Sequence, residues 1–255
     1  MYGVNNAKGP KLPLLLIPTT SGTGSEVTNV AILTTGKTAK KGVVADSLYA
    51  DRVLLDAELT LGLPASITAA TGIDAMVHAI EAYTSIRLKN PISDALALTA
   101  LRKLRTNIIP AANEPSDVDA RNEMLIGAMI AGQAFSNAPC AAVHALAYPL
   151  GGRYHISHGV SNALLLPHVM EVTKMACIER FSDIAAAFGA PVHQLSHQQA
   201  ADYVLERLYT LCSDVSIPAR LRDLNIPEAD LPQLAEEAFG VKHLLRNNPR
   251  DLSVS

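Results

Sequence analysis

Within Gly72-Ile73-Asp74-Ala75-Met76-Val77-His78-Ala79-Ile80-Glu81, an acid and an imidazole stand four positions apart in an otherwise apolar run. At helical period Asp74 and His78 share a face, one turn apart, so a carboxylate oxygen and a ring nitrogen reach a common metal ion. An ionised Asp in so apolar a segment needs a partner. A plain Asp–His hydrogen bond meets that need as well as a metal does. A second cluster adds to the case: His144 lies in the apolar run Ala141-Ala142-Val143-His144-Ala145-Leu146-Ala147-Tyr148, and His158 follows Gly151-Gly152 in Ser157-His158-Gly159-Val160. A helix, a glycine-mediated turn and a short return path bring these two imidazoles together. One Asp and three His form a candidate set for Fe(II), Zn(II) or another first-row dication, able to act as a Lewis acid on a substrate oxygen.

The other chemical residues carry weaker signals. His155 precedes His158 by three residues and reads either as a substrate or proton-relay contact or as an exposed turn residue. His168, His193, His197 and His243 lie in ordinary surroundings and read as structural or solvated. Thr19-Thr20-Ser21-Gly22-Thr23-Gly24-Ser25-Glu26 follows the apolar stretch Leu14–Ile17. Small residues let backbone amides approach a phosphate, and hydroxyls add donors; a flexible turn has the same composition. Its place after a strand favours the ligand reading. Lys41 offers a positive charge to a phosphate or ribose, or forms a solvated pair with Lys40.

Two kinds of element must position these groups. Leu14–Ile17, Val30–Leu33, Lys41–Val44 and Arg52–Asp56 are short strand candidates, the first expected to be a buried parallel strand ended by Pro18. From Pro64 onward the period becomes helical. Ile73, Val77 and Ile80 mark one apolar stripe, and Leu101, Leu104 and Ile108 mark another. Asn90-Pro91 and Asn113-Glu114-Pro115-Ser116 punctuate the helices, with Ser116 or Asp117 as a cap. Gly151-Gly152 is expected to end one helix, and Pro167, Gly189, Pro218 and Pro227 to separate later ones. The fold class is therefore mainly α: residues 1–63 form a partial α/β remnant, and 64–255 a helical metal-binding domain.

Composition narrows the function classes. Of 255 residues, 49% are hydrophobic and only 4% aromatic, which suits close packing of helices through small side chains. A formal charge of −3 offers no footprint for nucleic acid or an anionic membrane. Cys140, Cys177 and Cys212 are odd in number and have no CxxC spacing, which points away from a disulfide framework and towards the reducing cytoplasm. No apolar run is long enough to span a bilayer, and no signal peptide is apparent.

Three segments, Ile17–Thr28, Ala70–Glu81 and His144–Asn162, resemble in composition and order the iron-containing alcohol dehydrogenase family, the group that includes lactaldehyde reductases and 1,3-propanediol dehydrogenases. The resemblance implies that Asp74, His78, His144 and His158 are the four metal ligands, for iron or, as a substitute, zinc. It implies that Thr19, Thr20, Thr23 and Lys41 contact NAD(P), and that a small alcohol or aldehyde exchanges hydride with that cofactor. A homodimer is expected. Two departures stand out. The Gly-Gly-Gly-Ser turn of the family's N-terminal dinucleotide-binding part does not occur here, so the resemblance implies a chain shortened before Met1. Tyr148 stands where many members carry a further His thought to assist proton transfer, which makes Tyr148 or His155 the candidate for that role. The alternative expectation is a truncated, catalytically inactive metal-binding helical domain.

Overall fold

A computed structural model describes residues 2–35 and 39–254. The first part is a thin β layer. Strand β1 (Gly3–Val4) runs parallel to β4 (Ala39–Val44), which pairs antiparallel with β3 (Val30–Thr35). A separate parallel pair joins β2 (Leu15–Leu16) to β5 (Arg52–Val53). The expected parallel pairing of the Leu14–Ile17 stretch is present, but its burial is not. Leu15 is 53% exposed and Ile17 41%, because among the described residues no helix covers that face of the two-stranded pair. The paired part of Arg52–Asp56 is likewise only two residues long. Asp56 instead caps a 3-10 turn, accepting from the Glu58 amide.

Helices account for nearly all of the remainder. Helix α1 (Ala65–Thr84) is apolar on every side, and such a helix finds its place in the centre of a bundle. Every residue from 68 to 85 is buried except Thr71. Around it pack α2 (Pro91–Asn113), α3 (Val118–Asn137) and α5 (His158–Thr173). Glycines allow the close approaches: a Cβ on Gly72 would lie 2.6 Å from Met124 Cε, and one on Gly159 would lie 2.7 Å from the Ala70 carbonyl oxygen. The loops stop where turn chemistry predicts. Asn90 caps α2 in a reciprocal arrangement with Ser93, and Asp117 caps α3 through the Ala120 amide.

Beyond α3 come α4 (Ala142–Tyr154), α6 (Ile178–Ala187), α7 (His197–Asp214) and α8 (Leu231–Phe239), with a last turn at Lys242–Leu245. Two expected breaks are not breaks. Helix α4 continues through Gly151-Gly152 to Tyr154 and ends at His155, which takes the left-handed conformation (φ 55°) at the C-cap. Glycine ends a helix when it supplies that left-handed residue, and here His155 does so three positions later. Pro167 lies inside α5 and does not divide it. Gly189 meets expectation, with φ 89° just past α6.

A buried guanidinium ties the two parts together. Arg121 of α3 is 2% exposed and donates to the carbonyls of Thr60 (2.6 Å) and Pro115 (2.7 Å) and to the Thr68 hydroxyl (3.4 Å). Among the described residues no helix is long and apolar enough to cross a membrane.

Candidate metal centre

Three helices converge on the site around Asp74, the third through its first residue. Asp74 and His78 lie on consecutive turns of α1, 2% and 4% exposed. His144 is the third residue of α4, and His158 is the first of α5. The tight seat of Gly159 on the Ala70 carbonyl presses the start of α5 against α1, which brings His158 over Asp74. His144 Nε2 lies 3.9 Å from Asp74 Oδ1, and His158 Nε2 lies 3.8 Å from the same oxygen. One ligand atom from each of the four side chains falls within 4.8 Å of every other. Tetrahedral ligands about 2.1 Å from an ion are about 3.4 Å apart, so a modest contraction closes this set around a first-row dication.

The polar inventory of the cluster supports a cation in its middle. His144 Nε2 and His78 Nδ1 are buried without a hydrogen-bond partner among the described residues. A buried nitrogen left in that state costs about 1–3 kcal/mol. Burial drives His78 down to about 3, against the pull of Asp74 and the Gly22 backbone, so its ring stays neutral and available as a ligand. For Asp74, burial is outweighed by His78, His158, His144 and the Asn162 amide, and its carboxyl is held below the usual range. His158 differs from the other three in being partly open to solvent, with 36% of its side chain exposed. That marks the open side of the site. Phe135 stacks on His78 with ring centroids 4.4 Å apart, and His78 stacks on His144 at 4.7 Å.

Two residues absent from the expected site belong to it. Asn162, one turn into α5, donates to Asp74 Oδ1 at 2.5 Å and lies 3.1 Å from His158 Nε2. Glu81, two turns after Asp74 on the same face of α1, accepts from the Ala141 and Val143 amides and lies 2.7 Å from His144 Nδ1. Helical spacing was the available signal for Glu81, since positions 74, 78 and 81 form one i, i+4, i+7 stripe.

The remaining candidates occupy varied positions. Tyr148 is half-buried one turn beyond His144, against Cys140, Ala145 and Leu244, and burial raises its phenol. His155 is exposed at the end of α4 and is not one of the clustered ligands. Thr19 and Thr23 are exposed and Thr20 half-buried, in the loop at the C-terminal end of β2. Thr23 and Ser25 hydroxyls bond at 3.0 Å. Gly24 (φ 57°) abuts Gly132 of α3, where a Cβ would meet backbone at 2.6 Å, and Gly22 abuts Thr71 of α1. The loop is thus seated on the helical bundle beside His78. Lys41 lies in β4, and its side chain is outside the described residues.

Known proteins with this pattern are consistent in kind. Residues 68–255 match the C-terminal family model of iron-containing alcohol dehydrogenases, and residues 1–57 match a second model described as iron-containing alcohol dehydrogenase. Long-chain-alcohol dehydrogenase 1 from Geobacillus thermodenitrificans (strain NG80-2) is 45% identical over 252 residues, covering 99% of this chain and 63% of that protein. A solved 1,3-propanediol oxidoreductase superposes with a TM-score of 0.95 at 39% identity, over 99% of this chain and 66% of that one. The sulfoacetaldehyde reductase from Bifidobacterium kashiwanohense, solved in complex with NAD+, gives a TM-score of 0.86 at 31% identity, over 95% and 62%. The chain therefore spans somewhat under two thirds of the first of these relatives, and it belongs to the iron-containing alcohol dehydrogenase family.

Proposed function

We propose that this chain carries the metal half of an iron-type alcohol dehydrogenase. In this reading Asp74, His78, His144 and His158 hold one Fe(II), with Zn(II) as a substitute, and a small alcohol or aldehyde is the substrate. The observation that carries the reading is the clustering of one ligand atom each from Asp74, His78, His144 and His158, with the buried His144 Nε2 unpartnered among the described residues and 3.9 Å from the buried Asp74 Oδ1. A dication there supplies Lewis-acid polarisation of the substrate oxygen, and NAD(P) supplies or receives the hydride.

The chain's own residues define the rest. Asn162 holds Asp74 in place, and Phe135 stacks on the ring of His78. The open edge beside His158 is the approach for substrate. Thr19, Thr20 and Thr23, in the loop after β2, are proposed as contacts to the nicotinamide cofactor, and Lys41 as the positive charge for its ribose and phosphates. Tyr148 is the better placed of the two proton-relay candidates, being half-buried next to His144, whereas His155 faces solvent. In domain terms, residues 1–63 are the remnant of the dinucleotide-binding fold and 64–255 the metal-binding domain. Free thiols suit a cytoplasmic setting, and the apolar strand face at Leu15 and Ile17 suits a homodimer.

A second reading, a metal-binding helical domain without turnover, is favoured by one observation: among the described residues only a three-stranded and a two-stranded sheet stand where a nucleotide needs a full sheet. One experiment separates the two. The protein is loaded anaerobically with Fe(II) and supplied with 1,3-propanediol or ethanol and NAD+ or NADP+, and NAD(P)H fluorescence is followed. Alcohol-dependent NAD(P)H formation that disappears in His78→Ala supports the dehydrogenase. A metal-loaded protein that neither binds NADH at millimolar concentration nor turns over supports the second reading.

A further inference from the structure

Glu81 is 1% exposed in the middle of the bundle, and both of its oxygens are fully engaged. Oε1 accepts from the Val143 amide at 2.6 Å; Oε2 accepts from the Ala141 amide at 3.0 Å and lies 2.7 Å from His144 Nδ1. Helix α4 begins at these residues with no side-chain cap of its own, so the α1 carboxylate serves that end. The two amide contacts come from backbone and fix the orientation of the carboxylate plane. The third contact then fixes the ring of His144. A carboxylate only accepts, so Nδ1 is the ring nitrogen that donates to it, and Nε2 is turned to the other side of the ring. Nε2 is the atom that is buried, without a partner and 3.9 Å from Asp74 Oδ1.

Glu81, Cys140 and His144 are also close enough to form a metal cluster of their own. That cluster is disfavoured by the same hydrogen bonds, because both Glu81 oxygens are occupied by N–H groups that cannot turn away. We propose that Glu81 is a positioning residue for the metal centre: it sets the tautomer of His144 and aims its Nε2 at the ion held with Asp74, His78 and His158. The proposal rests on the reading of those four side chains as ligands. Carboxylates in this relation to a ligating imidazole contribute about 10–100-fold to metal affinity.

The test is Co(II) titration of metal-free protein, followed by visible absorbance, for wild type, Glu81→Gln and Asn247→Ala. Asn247 donates to the Cys140 carbonyl at 2.8 Å and steadies the same segment without touching His144. Glu81→Gln keeps the shape but sets an amide N–H2 against His144 Nδ1 or a backbone amide. It is expected to bind Co(II) about 10–100-fold more weakly than wild type, with a melting temperature of the metal-free protein within a few degrees. Asn247→Ala is expected to bind Co(II) like wild type. Equal affinity in wild type and Glu81→Gln overturns the proposal, as does equal weakening in both variants, which is what a purely structural role produces. Imidazole 15N spectra of the Zn(II)-loaded wild type give an independent readout if Glu81→Gln fails to fold. A protected Nδ1 proton on His144 is the expected signal, and coordination through Nδ1 overturns the proposal. A wild type that binds no Co(II) refutes the ligand set itself and is recognised without reference to either variant.

Discussion

The β layer before Ala65 and the helical bundle after it are built on opposite terms. In the bundle, α1 is buried on all sides, and residues such as Ile73, Met76, Ile80, Leu101 and Leu104 are completely enclosed. In the β layer, Leu12, Leu15, Ile17, Ile32, Leu33 and Leu54 are all exposed, and its described strands bury little besides Val43. Asp74, His78 and His144 lie in the first kind of environment, His158 at its open side, and the candidate cofactor loop at the edge of the second. Metal binding is thus a property that the bundle positions by itself. The candidate cofactor loop belongs to a layer held on the bundle chiefly through Arg121 and the glycine seats of the loop.

Breaking the main tie has the largest expected effect. Arg121→Met removes the guanidinium's bonds to the Thr60 and Pro115 carbonyls and the Thr68 hydroxyl and should destabilise the fold by about 2–5 kcal/mol. Urea unfolding measures this, and a loss below about 1 kcal/mol contradicts the role given to Arg121. A lesser effect is expected at the loop. A Cβ at Gly132 would sit 2.7 Å from the Gly24 carbonyl oxygen, so Gly132→Ala should displace the loop at a cost of about 1–3 kcal/mol. It should leave Co(II) affinity unchanged. Equal loss of metal affinity would show that loop and bundle are not separable.

The three thiols test how dry the bundle is. Burial pushes Cys177 up to about 11 and Cys212 up to about 12, and raises Cys140 as well. Only about one Cys177 thiol in a thousand is then ionised at pH 8, so a disulfide reagent should react slowly with the folded protein and at once with all three cysteines in denaturant. Because the raised values keep the thiols protonated, labelling of Cys177 should quicken about tenfold per pH unit above 8, with Cys212 later. Rapid labelling at pH 8 contradicts the packing. The smallest effect belongs to the β layer: Leu15→Lys with Ile17→Lys should change stability by less than about 0.5 kcal/mol while reducing any concentration-dependent association. A loss of more than about 1 kcal/mol means that these side chains are covered.

This contrast also governs what the sequence made legible. The candidate ligands Asp74 and His78 were readable because they are polar interruptions in an apolar helix at a spacing of one turn, a signal of period and not of distance. The strands were readable as positions but not as buried strands, since burial depends on what else covers them. Glu81 carries the same kind of signal as Asp74, an acid inside an apolar helix, and its use became visible only when the start of α4 was seen to lack a cap of its own. The ends of α4 and α5 were misjudged at Gly151-Gly152 and Pro167 because a bundle tolerates both residues inside helices that tertiary packing holds. The side on which His155 points was fixed by its left-handed backbone, which no local pattern announced.

Metal analysis of the purified protein tests the central claim most directly. After anaerobic reconstitution with Fe(II) and desalting, wild type should retain about one metal ion per chain, while Asp74→Asn and His158→Ala should each retain less than about a tenth of that. Equal metal content in all three proteins, or none in the wild type, would contradict the four-residue centre.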